Sequence, residues 1–204
     1  GGEVDGLLPE SVFSLLQKVM SHRSFFSPDN YFKLLLAQIF RNSNGLKNCW
    51  LVENGIENRL LSVAEKSFSL EELLIGLKSR QLTRTRIQRM LIAVLLEMDK
   101  GTVQQLFSAG PLYLHLLAVS PKGEKFLASQ RKQRTIPLVQ NFSRIYPQLK
   151  RHYGAESSQY LLAFKQLQLE LRATKLYTLL VREFLGEHRN RDFYEQLKTG
   201  IPLK

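Results

Sequence analysis

The sequence is poorest in the groups that do covalent and metal chemistry. One cysteine in 204 residues leaves no partner for an internal disulfide and excludes a multi-cysteine zinc site. That residue, Cys49, sits beside Trp50 with no basic neighbour in sequence to activate it, and reads as a small buried apolar side chain. The four histidines, His22, His115, His152 and His188, lie far apart and form neither an HxGH nor an HExxH pair. No glycine-rich loop ends in Gly-Lys-Ser/Thr. Catalytic residues and metal ligands are therefore expected to be absent. No apolar run approaches the roughly 20 residues that cross a bilayer, and no signal-peptide pattern opens the chain. These absences predict a soluble, cytoplasmic protein without membrane contacts, and Gly1-Gly2 has the look of a cloning scar.

Acids are the other shortage. Asp and Glu number 18 against 29 Lys and Arg, a net charge of +11. An excess of this size points to an acidic partner, nucleic acid before an anionic membrane surface; the alternative is a basic, soluble protein with no such partner. The apolar fraction, 44% of residues, is ordinary and supports a real core.

Helical signals fill the first half. "LPESVFSLLQKVM" spaces Val12, Leu15, Leu16 and Val19 along one helix face. "SPDNYFKLLLAQIF" opens with Ser27 as cap, Pro28 at the first position and Asp29 in the first turn. After the break at Asn54-Gly55, Ile56, Leu60, Val63 and Ala64 mark a buried stripe. "SLEELLIGLKS" begins with a capping box, Ser69 with Glu72, and Glu71 suits the helix dipole. A further helix is expected over 83–99, with Ile87, Met90, Leu91, Val94, Leu95 and Met98 facing inward. "SAGP" at 108–111 reads as a linker. Beyond it, "LYLHLLAV" and "TIPLVQ" suggest strands around a Ser120-Pro121 helix start, spaced as a parallel βαβ unit requires. A long leucine-rich helix is expected from Glu156 to about Leu185, and the ending from Tyr194 reads as turn-like. The expected fold is mainly α: a helical domain over 1–109, then a smaller α+β domain over 110–204 with a short βαβ-like unit and a long C-terminal helix.

Charge placement singles out two segments. Between Glu72 and Glu97 there is no acid, while Lys78, Arg80, Arg84, Arg86 and Arg89 all fall inside. Arg84 and Arg86 would stand in the first turn of the 83–99 helix, where free N–H groups and the macrodipole favour anions. Guanidinium groups there, with the Thr83 and Thr85 hydroxyls, suit a phosphate backbone. The competing reading is a solvated basic face whose arginines reach acids such as Glu53, Glu57 or Glu65. The second segment carries Lys122, Lys125, Arg131, Lys132 and Arg134, offset only by Glu124. Two clusters fit a long polyanion better than a mononucleotide. Aromatic platforms for unpaired bases are limited to Tyr31, Phe32, Trp50, Tyr146 and Tyr153, all of them core candidates as well, so recognition through backbone and shape is expected.

The string "ENGIENRLLSVAEKSFSLEELLIGLKSRQLTRTRIQRMLIAVLL", supported by "GEKFLASQRKQRTIPLV" and "LELRATKLYTLL", resembles the bacterial tRNA(Met) cytidine acetate ligase family. The resemblance runs from "LPESVFSLL" to the end. It implies a parent protein that uses ATP, with Mg, to activate acetate and then forms N4-acetylcytidine at the wobble position of elongator tRNA(Met). It also implies that ATP is handled by an N-terminal nucleotidyltransferase-like domain with an HxGH-type motif. By position this chain looks like the C-terminal region following that domain. Carried over residue by residue are Glu57, Asn58 and Arg59; Arg80, Thr83, Arg84, Thr85, Arg86 and Arg89; and Arg172 with Thr174. Lys175 stands where the family often has an acid, and "LLAVSPKG" replaces a "VLGFNxxG"-like strand.

The expectation is thus a tRNA-binding region, inactive alone and holding no cofactor of its own. Its partners would be tRNA, with elongator tRNA(Met) first, and the missing N-terminal domain. The alternative is a structural or protein-interaction module supporting that domain. An independent enzyme is disfavoured because no local motif supports it.

Overall fold

The computed structural model describes residues 9–21, 26–53, 55–180 and 198–199. It is mainly helical, with two short parallel strand pairs. Contacts divide it into two compact units. The first takes the described residues up to Leu95 and then 175–180; the second takes Leu96–Thr174 and 198–199. The expected break at 109/110 thus differs from the observed division, because the helix that ends there belongs with the later residues.

In the first unit, α1 (Glu10–Ser21) forms where its spacing predicts. Val12 at 41% and Leu15 at 63% exposure stay largely uncovered. Helix α2 (Pro28–Arg41) starts as its sequence dictates: the Ser27 hydroxyl accepts from the Asn30 N–H and Pro28 takes the first turn. It buries Tyr31, Phe32, Leu35 and Ile39. Helices α3 (Ile56–Ala64) and α4 (Leu70–Leu77) come next. The Ser69 hydroxyl accepts from the Glu72 N–H, and the Glu72 carboxylate accepts from the Phe68 N–H. The α3–α4 contact is close enough that a Cβ on Gly76 would stand 2.5 Å from Val63 Cγ1.

Helix α5 spans Arg84–Leu95, shorter than the expected 83–99. Ile87, Met90, Leu91, Val94 and Leu95 are buried as the periodicity requires. The helix stops because Glu97 takes a left-handed φ of +51° and Asp99 caps the next helix, leaving Met98 half-buried between them. The core gathers Leu35, Ile39, Leu60, Leu73, Leu77, Ile87 and Leu91, all fully buried.

The second unit opens with α6 (Lys100–Ala109), a helix the reading of 108–111 as a linker had cut into. The Asp99 carboxylate accepts from the Thr102 N–H at 2.8 Å. That bond holds the Asp99 carboxyl below the usual carboxylate range. Gly110, at φ +70°, ends the helix, and Pro111 comes directly after it. The expected βαβ unit is present. Strand β1 (Leu114–His115) pairs in parallel with β3 (Leu138–Val139), in register Leu114 to Leu138. Helix α7 (Pro121–Ser129) lies between them in sequence, capped by Ser120. A second parallel pair, β2 (Ala118–Val119) with β4 (Lys198–Thr199), replaces part of the turn-like ending. A two-residue strand has no periodicity to read, so only a partner across the fold reveals it.

Helices α8 (Ile145–Tyr153) and α9 (Ser158–Leu180) complete the described helices. Within α9, Ala163, Leu167 and Leu171 enter the second unit's core with Val139, Ile145 and Leu149. Further along, Leu176 and Leu180 pack into the first unit's core. The helix therefore carries two successive buried stripes. The rest of the expected helix, 181–185, lies outside the described residues.

Candidate nucleic-acid surface

The arginines at the α5 mouth are held by acids of their own chain. Arg84 donates through both terminal nitrogens to the two Glu71 oxygens, each at 2.6 Å. This hydrogen bond holds the Glu71 carboxyl below its ordinary range and raises the Arg84 guanidinium. Both side chains remain half exposed, at 52% and 56%. Arg86 reaches Glu53 at 3.3 Å. The Thr83 hydroxyl accepts from the Arg86 N–H at 3.4 Å, so Thr83 acts as the helix cap. Two positive side chains at an electropositive helix end are thereby compensated inside the fold. Of the acids proposed from sequence, Glu53 takes part. Glu71 escaped notice because helix capping already explained it. Lys78, Arg80, Thr85 and Arg89 are exposed, and among the described residues no carboxylate pairs with Lys78, Arg80 or Arg89.

Two further motif arginines, Arg59 and Arg172, bond backbone carbonyls. Arg59 donates to the Gly76 and Lys78 carbonyls at 2.8 and 3.1 Å, covering the C-terminal end of α4 with a cation where the dipole favours one. It lines a cleft of about 230 Å³ together with Gly55, Ser79, Gln81 and Arg86. Glu57 is half-buried and Asn58 exposed on the same helix. Arg172 donates to the Leu96 carbonyl at 2.8 Å and to Glu97 at 3.2 Å, bracing the backbone beside the left-handed residue. Thr174, two positions on, is half-buried.

The second basic segment is arranged differently. Lys122 and Lys125 stand on α7, and Arg131, Lys132 and Arg134 lie just beyond its end. Arg131 and Arg134 line a cleft of about 560 Å³ with Glu124 and Gln140 as its other polar groups; Lys132 does not. Leu116, Val119, Leu127, Ala128 and Leu138 form its apolar wall.

Most of the aromatic candidates are engaged in packing. Tyr31 and Phe32 are buried, and burial pushes the Tyr31 hydroxyl up to about 12. The Tyr153 hydroxyl donates to the Leu112 carbonyl at 2.6 Å, and Tyr146 packs against the second core and accepts from Gln168. Cys49 is buried as expected. Among the described residues, no group of three or more His, Cys, Asp and Glu could hold a metal ion. No described helix is long and apolar enough to cross a membrane.

Comparisons with known proteins give this surface its context. The chain is 45% identical over 195 residues to a tRNA(Met) cytidine acetate ligase of Syntrophotalea carbinolica, and 28% identical over 202 residues to one of Thermotoga petrophila. These alignments take in 96% and 94% of the chain but 46% of each relative, so the chain spans about half their length. The fold superposes on the crystal structure of Thermotoga maritima TmcAL bound with alpha-thio ATP with a TM-score of 0.81. That match covers 94% of this chain and 47% of the other at 23% identity. The model for HIGH Nucleotidyl Transferase matches residues 2–192. This corrects the expectation of a C-terminal region lying outside a nucleotidyltransferase domain that the chain lacks. It likewise removes the support for a separate missing domain as partner and for an appendage that holds no nucleotide. The expectation had rested on the absence of an HxGH string and on the position the resemblance gave the chain. The family match takes in nearly the whole sequence, and the chain belongs to the HIGH Nucleotidyl Transferase family.

Proposed function

We propose that this chain belongs to an enzyme that ligates acetate to a cytidine of tRNA(Met), and that its basic surfaces hold the tRNA by its phosphates. The observation that carries this reading is the 45% identity to a tRNA(Met) cytidine acetate ligase across 96% of the chain. The charge agrees with it: +11 overall, with no acid from residue 73 to 96. Lys78, Arg80 and Arg89 offer exposed cations to a backbone, and Thr83 and Thr85 flank them. Arg84 and Arg86 are exposed enough for a phosphate to displace Glu71 or Glu53, since ion pairs at the surface contribute little. Lys132 adds an exposed cation in the second unit. ATP and Mg, which the resemblance attaches to this reaction, belong to the proposal at the level of the whole enzyme. The described residues offer no acidic cluster for a metal and the sequence no phosphate loop, so no step is assigned to either.

The Arg84–Glu71 and Arg86–Glu53 pairs favour a second reading, in which these two arginines only stabilise the first unit. The test is tRNA binding by the Lys78→Ala, Arg80→Ala, Arg89→Ala triple variant across several salt concentrations. Loss of three phosphate contacts flattens the slope of log affinity against log salt by roughly 2–3. An unchanged slope with unchanged affinity contradicts the backbone-holding role.

A further inference from the structure

We propose that the cleft between α7 and the β1–β3 pair is a nucleotide pocket, with the phosphate on Arg131 and Arg134 and the base against its aliphatic wall. Leu116 directly follows β1 and Gln140 directly follows β3, so the cleft opens at the carboxyl ends of two parallel strands. Ligands of open parallel sheets collect at that edge. Its volume, about 560 Å³, falls within the range of small-molecule sites.

The polar lining is the stronger argument. In the opening half, Arg59, Arg84 and Arg86 have bonds to protein acceptors, while Arg80 and Arg89 are exposed to solvent and line neither this apolar-walled cleft nor the smaller one beside Arg59. Among the described residues, no side-chain hydrogen bond or ion pair engages Arg131, Arg134, Glu124 or Gln140. Arg134 is half-buried in that condition. A partly desolvated cation without a counter-ion is costly, and a phosphate offsets the cost through two parallel hydrogen bonds. A bare phosphate would leave Leu116, Val119, Leu127 and Leu138 unused, and an apolar ligand would leave the guanidiniums unused. A nucleotide uses both. Glu124 accepts hydrogen bonds and Gln140 both donates and accepts, a pairing suited to a base with an exocyclic amine, adenine or cytosine before uracil.

The occupant is either a free nucleotide or an unpaired nucleotide of an RNA; the RNA source rests on the tRNA reading above, and the pocket itself does not. Saturation-transfer NMR with AMP, CMP and UMP, alongside filter binding of tRNA, separates them in the whole chain. Ala128→Phe fills the cleft from an exposed helical position without altering charge. Glu124→Gln removes only the acceptor character. Circular dichroism confirms that both remain folded. Wild type is expected to prefer AMP or CMP to UMP, Ala128→Phe to weaken binding about tenfold or more, and Glu124→Gln to level the preference. Monophosphate binding lost in Ala128→Phe with tRNA affinity unchanged assigns a free nucleotide. Weakened tRNA binding without monophosphate binding assigns an RNA nucleotide. Monophosphate binding lost in Ala128→Phe while wild type binds no tRNA leaves the pocket standing and ends the tRNA reading. If Ala128→Phe changes neither ligand, or if monophosphates bind it as they bind wild type, the pocket proposal is overturned.

Discussion

The two basic segments look alike in sequence and differ in how the fold engages their arginines. At the α5 mouth, Arg84 and Arg86 turn back onto Glu71 and Glu53, and Arg59 closes over the carbonyl end of α4. Beside β1 and β3, Arg131 and Arg134 face an open cleft with no acid of the described chain paired to them. A count of cations measures how much positive charge a segment holds. It does not measure how much of that charge is available to a ligand, because availability depends on which acids the fold brings near. Glu71 lies 13 residues from Arg84 and Glu53 lies 33 from Arg86, so both pairings are made by helix packing.

The largest difference between the segments lies in what supports them. Ile87 is fully buried beneath the α5 arginines, so Ile87→Ala should cost about 2–5 kcal/mol in chemical denaturation. Leu138 lines the open cleft and is half-buried, so Leu138→Ala should cost less, about 1–2 kcal/mol. Equal losses would mean that the cleft is packed like a core. A smaller effect is expected at Arg59. Its replacement by Ala removes two carbonyl bonds at a helix end, about 1 kcal/mol of stability, with tRNA affinity unchanged. A drop in affinity without a drop in stability would move Arg59 from clamp to RNA contact.

The smallest effect belongs to Glu71→Gln. It releases Arg84 to a phosphate and should raise tRNA affinity by a few-fold, about the yield of one added contact. No gain would show that Arg84 does not exchange partners. Acidification probes the same pair. The folded Glu71 carboxyl titrates below its unfolded value, so its contribution is complete above the ordinary carboxylate range and is lost as pH falls through the lowered folded value. Carbon NMR of the Glu71 carboxyl should therefore show a midpoint below that of an exposed glutamate, and Arg84→Ala should restore the ordinary one.

Long periodic elements were legible from sequence. The α5 face from Ile87 to Leu95 and the Ser27, Ser69 and Ser120 caps arise from local spacing and hydroxyl placement. The βαβ unit was legible because Ser120-Pro121 marks a helix start between two short apolar runs. Helix α6 was missed because Gly101 interrupts its start and Asp99 was not recognised as its cap. The β2–β4 pair, made from residues about 80 apart, has no local signal. Of the candidate site, the cations and the Glu53 partner were legible, and the Glu71 partner was not. Arg59 and Arg172, singled out only as motif residues, bond backbone carbonyls, a contact that depends on helix packing and leaves no sequence signal.

The most direct measurement compares two double variants in one assay, the salt dependence of tRNA binding. Replacing Arg80 and Arg89 with Ala should reduce the slope of log affinity against log salt by about 1.4–1.8, the loss of two phosphate contacts. Replacing Arg84 and Arg86 with Ala should reduce it by less than half as much, because these guanidiniums give up carboxylates to bind. Equal reductions, or a larger one for the Arg84 and Arg86 pair, would contradict the claim that pairing within the fold lowers what an arginine gives to RNA binding.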